Sequence, residues 1–176
     1  MASPSVRARY PEGRPGGSPR AIATYLVSVR PLLQEVTDSR RAFIRHIGIL
    51  MEEARQASRA VVVQAAGRIG RDEGAGFRSL LAQLNALAPP AGCESCHDAL
   101  VRWVELHLGA CTVMVDVGTS GDLGRLRETQ QLLGTARVEA QRFNAEYGRL
   151  VTDVRQRVKA ATAAEKRRRH APLRFR

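Results

Sequence analysis

Apolar residues recur along this chain in steps of three and four, and that spacing limits the folds it can adopt. The pattern runs from Val36 to Val61 and again from Leu126 to Ala161. Such steps place side chains on one face of an α-helix, whereas a half-buried β-strand needs strict alternation. No segment of note has the strand period. Because helices joined by short turns pack as antiparallel neighbours, we predict an all-α fold: an antiparallel up-down helical bundle, four-helix-like, with two long helices and shorter ones.

Proline and glycine predict where the first helices of this bundle begin and end. Pro31 fits either the first position of a long helix over about 31–69 or a kink, after a short helix over 20–30. Four glycines within the stretch 67–76 predict a weak zone where the chain leaves the helix. A short helix over about 72–87 is expected to follow.

In the second half of the chain, proline and turn residues mark the helix ends more clearly. Pro89 and Pro90 end the preceding helix sharply, and the next helix is predicted over about 91–117. The sequence GTSGD at 118–122 is typical of a turn, with Asp122 as the N-cap of a final helix about forty residues long.

The formal net charge of +11 is concentrated at the two ends of the chain. Residues 1–20 hold four arginines against one glutamate, and residues 155–176 hold nine basic side chains against one glutamate. The intervening residues 21–154 carry fifteen basic and fifteen acidic side chains, so this part is neutral. The sequence therefore predicts a neutral body with two cationic ends.

We divide the chain accordingly into a basic N-terminal tail over 1–19, a helical bundle over 20–164 and a basic C-terminal tail over 165–176. The N-terminal tail is rich in Pro, Gly and Ser, which predicts disorder. Cationic tails suit an acidic partner, either nucleic acid, an anionic membrane surface or a protein, although the same charge also serves solubility and helix capping. The candidate polyanion-binding residues are Arg7, Arg9, Arg14, Lys166, Arg167, Arg168, Arg169, Arg174 and Arg176.

One stretch, AGCESCHD at 91–98, carries a pattern that suggests a particular chemistry. On a helix, Cys93, Cys96 and His97 stand at i, i+3 and i+4 and share one face. Near a helix N-terminus the dipole favours the thiolate, so we expect lowered thiol pKa values. The pattern Cys-x-x-Cys-His permits covalent haem attachment, a metal ion or a thiol redox pair, and it is equally compatible with plain packing at a helix start.

A haem or metal at this motif needs a further ligand from another helix. His107 lies ten residues beyond His97, about 15 Å along the same helix, and Cys111 lies farther still. His46, from the first long helix, is therefore the first candidate. The candidate metal or haem ligands are Cys93, Cys96, His97 and His46. We favour packing of the motif over a bound group.

Motifs of catalysis and nucleotide binding are missing from the sequence, among them the P-loop, the dinucleotide-binding glycine pattern and the zinc-protease pattern. No apolar run approaches the roughly 18 residues of a membrane span, and no convincing secretory signal is present, so we expect a cytoplasmic protein. Stripes this regular also suit a homo-oligomer. The predicted function is a non-enzymatic interaction or structural bundle without a cofactor, and the alternative is a redox, metal- or haem-binding bundle built on the Cys-x-x-Cys-His motif.

Overall fold

The computed structural model describes residues 17–169 of the chain, which form four α-helices. The helices are α1 (Pro19–Glu53), α2 (Arg59–Asn85), α3 (Glu94–Ser120) and α4 (Leu126–Arg169). Each helix packs against the one before and after it in sequence, and α1 also contacts α4, which closes the ring. The described range contains no β-strand. The predicted all-α, up-down helical bundle is therefore confirmed.

The ends of the helices follow local chemistry. Ser18 caps α1, since its hydroxyl accepts a hydrogen bond from the Ala21 amide at 3.1 Å, and Pro19 occupies the first turn. After α3 the chain reverses at Gly121, whose φ of 73° is in the left-handed region that glycine tolerates best. Asp122 then accepts from the Gly124 amide, so it caps a short 3-10 turn that leads into α4.

The predicted division at Pro31 is wrong, because α1 continues through this proline without a break. Pro31 lies on the exposed side of the helix, and so does Val27 one turn earlier, which is 71% exposed. Proline removes one backbone hydrogen bond and leaves the carbonyl of residue i−4 without its donor. On the solvent side of a helix water can satisfy that carbonyl, so the helix tolerates the proline.

The predicted break at 67–76 is also wrong. The helix α2 runs through all four glycines, and the chain instead leaves the helix at 54–58, which contains neither glycine nor proline. Three of these glycines, Gly67, Gly70 and Gly74, are buried. The cause is tertiary: a Cβ added to Gly70 would lie 2.5 Å from the Cys111 carbonyl oxygen on α3. Glycine is needed at this position because two helix backbones approach each other closely, and the weak zone predicted from the sequence is a helix–helix contact.

Aromatic side chains fill the middle of the bundle. Phe43 of α1 and Phe77 of α2 meet edge to face with ring centroids 6.0 Å apart, and Phe77 stacks on His107 of α3 at 5.1 Å. From the other side, Phe143 of α4 packs against Trp103 at 6.5 Å. Aromatic residues make up only 5% of the chain, yet these rings are concentrated where all four helices contribute to one core.

Across residues 17–169, the helices lack any stretch with the length and apolar character needed to cross a membrane.

Candidate functional site

The motif of Cys93, Cys96 and His97 stands where α3 begins, as predicted. A turn after Pro89 and Pro90 brings the Cys93 amide to the Pro90 carbonyl at 2.9 Å. Gly92 permits this turn with a φ of 90°, and Cys93 is the residue that precedes the first helical position. The His97 amide bonds the Cys93 carbonyl, which closes the first turn of the helix. The motif residues are thus held by the helix start itself.

The thiols of this motif are buried, and this reverses the expected direction of their pKa. Both Cys93 and Cys96 are 0% exposed, and all three cysteines of the chain are free thiols. Burial raises the pKa of Cys93 to about 11 and that of Cys96 to about 12, with Glu94 and Cys93 respectively adding to the shift. The prediction of lowered thiol pKa values is therefore wrong. Loss of hydration outweighs the helix dipole because a thiolate in an apolar core has no water around it.

His97 has a partner across the bundle that the sequence did not indicate. Its Nδ1 lies 3.1 Å from the hydroxyl of Tyr25 on α1, and the two rings meet edge to face. Burial lowers the pKa of His97 and raises that of Tyr25. The imidazole is therefore neutral and the phenol protonated near pH 7, so the Tyr25 hydroxyl can donate to Nδ1.

A groove opens on the surface beside this pair. It has a volume of about 480 Å³ and lies between the start of α1 and the segment 87–90, with Tyr25 on its wall. Its polar lining includes the α1 cap Ser18 and, within α1, Arg20, Thr24 and Ser28. The groove brings solvent near Tyr25, while the two thiols remain inside the core.

The structure does not bring His46 to the motif. His46 lies 21 residues beyond Tyr25 on α1, about 30 Å along the helix axis. Its Nδ1 contacts the Glu73 carboxylate of α2 at 2.6 Å. His46 and the motif are therefore far apart in this structure, since the bundle places these two positions at different levels along α1.

Within residues 17–169 there is no group of three or more His, Cys, Asp or Glu side chains that could hold a metal ion. A haem bound to Cys93 and Cys96 would have to displace the core side chains packed around both sulfur atoms. The residues of the motif fit neither group in this packing.

A second buried histidine was not predicted as a distinctive group. His107 is 1% exposed, and its Nδ1 donates to the Trp103 carbonyl oxygen at 2.8 Å. Its Nε2 and the Trp103 Nε1 are buried without a hydrogen-bond partner in the protein. Burial lowers the pKa of His107. In the sequence, the signal for this burial is the position of His107 on the apolar face of its helix.

The basic C-terminal part of α4 leaves the bundle. We name residues 155–169 the α4 extension; every side chain described in it, over 155–167, is exposed. Near its start, Arg157 pairs with Asp153 at 2.9 Å and donates to the carbonyl oxygen of Gly17, two residues before α1, at 3.2 Å. The extension contains seven basic residues and one acidic residue. The described part of the chain therefore ends in a cationic helix surrounded by solvent.

The predicted polyanion-binding residues divide into two groups. Lys166 and Arg167 are exposed on the α4 extension, and Arg168 and Arg169 belong to its last helical turn. The others lie outside the described residues: Arg7, Arg9, Arg14, Arg174 and Arg176.

Comparison with known proteins found no match: no family model fits the chain, and neither the curated proteins nor the solved structures include one that is significantly similar. The fold alone therefore defines the class of this protein, an all-α up-down bundle.

Proposed function

We propose that this chain is a non-enzymatic interaction protein, in which a neutral helical bundle presents a cationic helix to an acidic partner. The observation that supports this most directly is the exposure of the α4 extension. The extension holds seven basic residues among fifteen, and since its described side chains over 155–167 are all exposed, packing does not explain this charge. Lys and Arg attract phosphates and carboxylates by charge without any shaped pocket.

The position of Gly17, where the described residues begin, supports the same proposal. Gly17 contacts Arg157 through its carbonyl and Ala91 through its amide, so the described chain begins beside the start of the α4 extension. The preceding residues include Arg7, Arg9 and Arg14 and are joined to the bundle at this point. The residue to which the basic N-terminal segment is joined, Gly17, therefore lies at the same end of the bundle as the start of the α4 extension.

The bundle body, by contrast, neutralises much of its own charge. Ion pairs three or four residues apart bind arginines to neighbouring carboxylates on α1, α3 and α4, for example Arg102 to Glu105 at 3.1 Å and Arg149 to Glu146 at 2.8 Å. Such exposed pairs add little stability, but they cancel the local field. The excess positive charge is left at the end of α4.

A polyanion-binding assay tests the proposal. Fluorescently labelled heparin is titrated with the full chain at 50 mM and 200 mM salt, and binding that weakens strongly with salt is expected. The test variant replaces four residues of the α4 extension with Gln, and we expect it to lose most of this binding. These residues are Lys166, Arg167, Arg168 and Arg169.

A matched control variant removes the same charge from exposed arginines of the bundle body. Its substitutions are at Arg45, Arg68, Arg127 and Arg137. If the test and control variants bind heparin equally well, or if binding does not depend on salt, the proposal fails.

The alternative function, a redox, metal or haem carrier, has no support from the packing of the motif. It remains directly testable: an absorbance scan of the purified protein for a Soret band, with metal analysis alongside, would reveal a bound group at Cys93 and Cys96.

A further inference from the structure

Three of the seven basic residues of the α4 extension share one side of the helix. Successive residues of an α-helix are rotated by about 100°, which places Arg155, Lys159 and Lys166 within an arc of roughly 40°. Thr152 and Thr162 border the same arc. Arg155 and Lys166 are about 16 Å apart along the axis. These three residues form a narrow basic stripe, and the other four basic residues of the extension stand at other angles around the helix.

The apolar side chains of the extension are small. Four alanines and one valine are the apolar residues between 155 and 169, and Val158 is 53% exposed. Helices that lie on a membrane surface bury bulky residues such as Leu, Phe or Trp, and this segment has none. A partner helix likewise needs a seam of larger apolar side chains. Neither a lipid surface nor a docked helix is therefore the occupant that this composition favours.

A slim, alanine-rich cationic helix matches the shape of duplex DNA. An α-helix with ordinary side chains is about 10–12 Å across, and the major groove of B-form DNA is about 12 Å wide. Short side chains let the helix backbone enter the groove, and the basic residues reach the phosphates at its edges. Every side chain described over 158–167 is exposed, so the body does not cover this part of the extension.

We propose that the α4 extension binds duplex DNA in the major groove through phosphate contacts and without sequence preference. This inference rests on the proposed function, because it specifies the acidic partner of the same helix. Arg155 and Lys159 supply phosphate contacts nearest the bundle, and the basic residues of the last turns continue them.

The test measures the affinity of the full chain for a labelled 30-base-pair duplex by fluorescence anisotropy between 50 and 300 mM salt. Each phosphate contact adds about −0.9 to the slope of log K against log salt. The double variant Arg155→Gln/Lys159→Gln is expected to bind roughly tenfold or more weakly and to reduce the magnitude of that slope by about 1.8.

The control is Arg127→Gln/Arg137→Gln, which removes two exposed charges from the part of α4 that belongs to the bundle. It should leave the affinity and the slope unchanged, and circular dichroism verifies that both variants fold. An equal loss in the two variants would overturn the inference, because the effect would then follow net charge and not the position of the stripe.

Three further ligands separate this inference from the proposed function. A duplex RNA of the same sequence should bind more weakly, since its deep, narrow major groove excludes a helix; equal affinity would overturn the groove placement. Vesicles with phosphatidylserine and poly-glutamate represent the other acidic partners. If either is bound and duplex DNA is not, the inference fails while the proposed function stands. If none of the polyanions is bound, both fail.

Discussion

The two ends of α3 are held against the bundle in opposite ways. Near its C-terminus, α3 meets α2 backbone to backbone: a Cβ added to Gly118 would lie 2.5 Å from the Cα of Gly67. Near its N-terminus, α3 is joined to α1 by side chains, through the hydrogen bond between His97 and Tyr25. The first contact depends on the absence of side chains and the second on their chemistry. The glycine contact should therefore respond to added volume, and the polar contact to polarity and pH.

The largest effect is expected where α2 and α3 are closest. In Gly70→Ala the new Cβ would lie 2.5 Å from the Cys111 carbonyl oxygen and 2.8 Å from the Val115 amide nitrogen, both backbone atoms that cannot rotate away. We expect the free energy of unfolding to fall by about 3 kcal/mol, as overpacking in a tight core does. Urea denaturation followed by circular dichroism measures it. A stability equal to that of the unmodified chain would show that the two helices are not in close contact in solution.

A smaller loss is expected at the other end of α3, where polarity matters more than volume. Cys96→Ser keeps the size of the side chain but places a hydroxyl in a position that is 0% exposed. A buried hydroxyl without a partner costs about 1–3 kcal/mol. Cys96→Ala, which adds no polar atom, is the control and should be less destabilising. If serine were better tolerated than alanine, the site would be polar or hydrated and the buried-thiol description would be wrong.

The two buried histidines of α3, one at its N-terminal end and one at its middle, should make the stability depend on pH. Burial lowers the pKa of His97 and His107 in the folded protein, so below about pH 6.5 the unfolded state binds protons that the folded state does not. Stability is thus full above that pH and falls as the pH decreases toward 5, by at most about 1.4 kcal/mol per pH unit for each histidine. Urea midpoints at pH 7, 6 and 5 measure the slope. His97→Gln removes one titrating group and should reduce it; an unchanged slope in this variant would contradict the role assigned to His97.

The smallest expected effect is a gain in stability, at a glycine that has no close neighbour. Gly134 lies on the exposed side of α4, and an added Cβ would meet no atom within 4 Å. Gly134→Ala should therefore stabilise the protein by about 0.5–1 kcal/mol, through the higher helix propensity of alanine. Thermal unfolding detects it as a rise in Tm. A decrease would indicate that this glycine, like Gly70, has a close neighbour in solution.

Much of the fold was predictable because helical periodicity is a local property. The apolar stripe of α4 and the turn at 118–122 predicted the final helix, and the Pro89–Pro90 pair predicted the start of α3. The same approach was wrong at Pro31 and at the glycines of 67–76, where it predicted helix ends but the helices continue. Both residue types break isolated helices, but their cost depends on whether water or a neighbouring backbone lies beside them, and that is decided by packing.

The candidate site was predictable only in part. The spacing of Cys93, Cys96 and His97 placed them correctly on one helix start, but not their burial. The partner of His97 is 72 residues away in sequence, and nothing in the residues around Tyr25 marks it. The positive charge at the end of α4, by contrast, can be counted in the sequence. The residue at which α4 leaves the core cannot, because it depends on how far the other three helices extend beside it.

The sequence by itself determined that the chain is helical, where its turns after residue 85 lie, and that its positive charge is at the ends. These properties depend on residues that are near each other in the chain. Only the tertiary structure decided that the glycines of α2 contact α3, that the thiols are buried with raised pKa values, and that His97 bonds Tyr25. Each of these features depends on which helices are neighbours and on how residues line up along the bundle axis. Such long-range contacts are established only when the whole core packs.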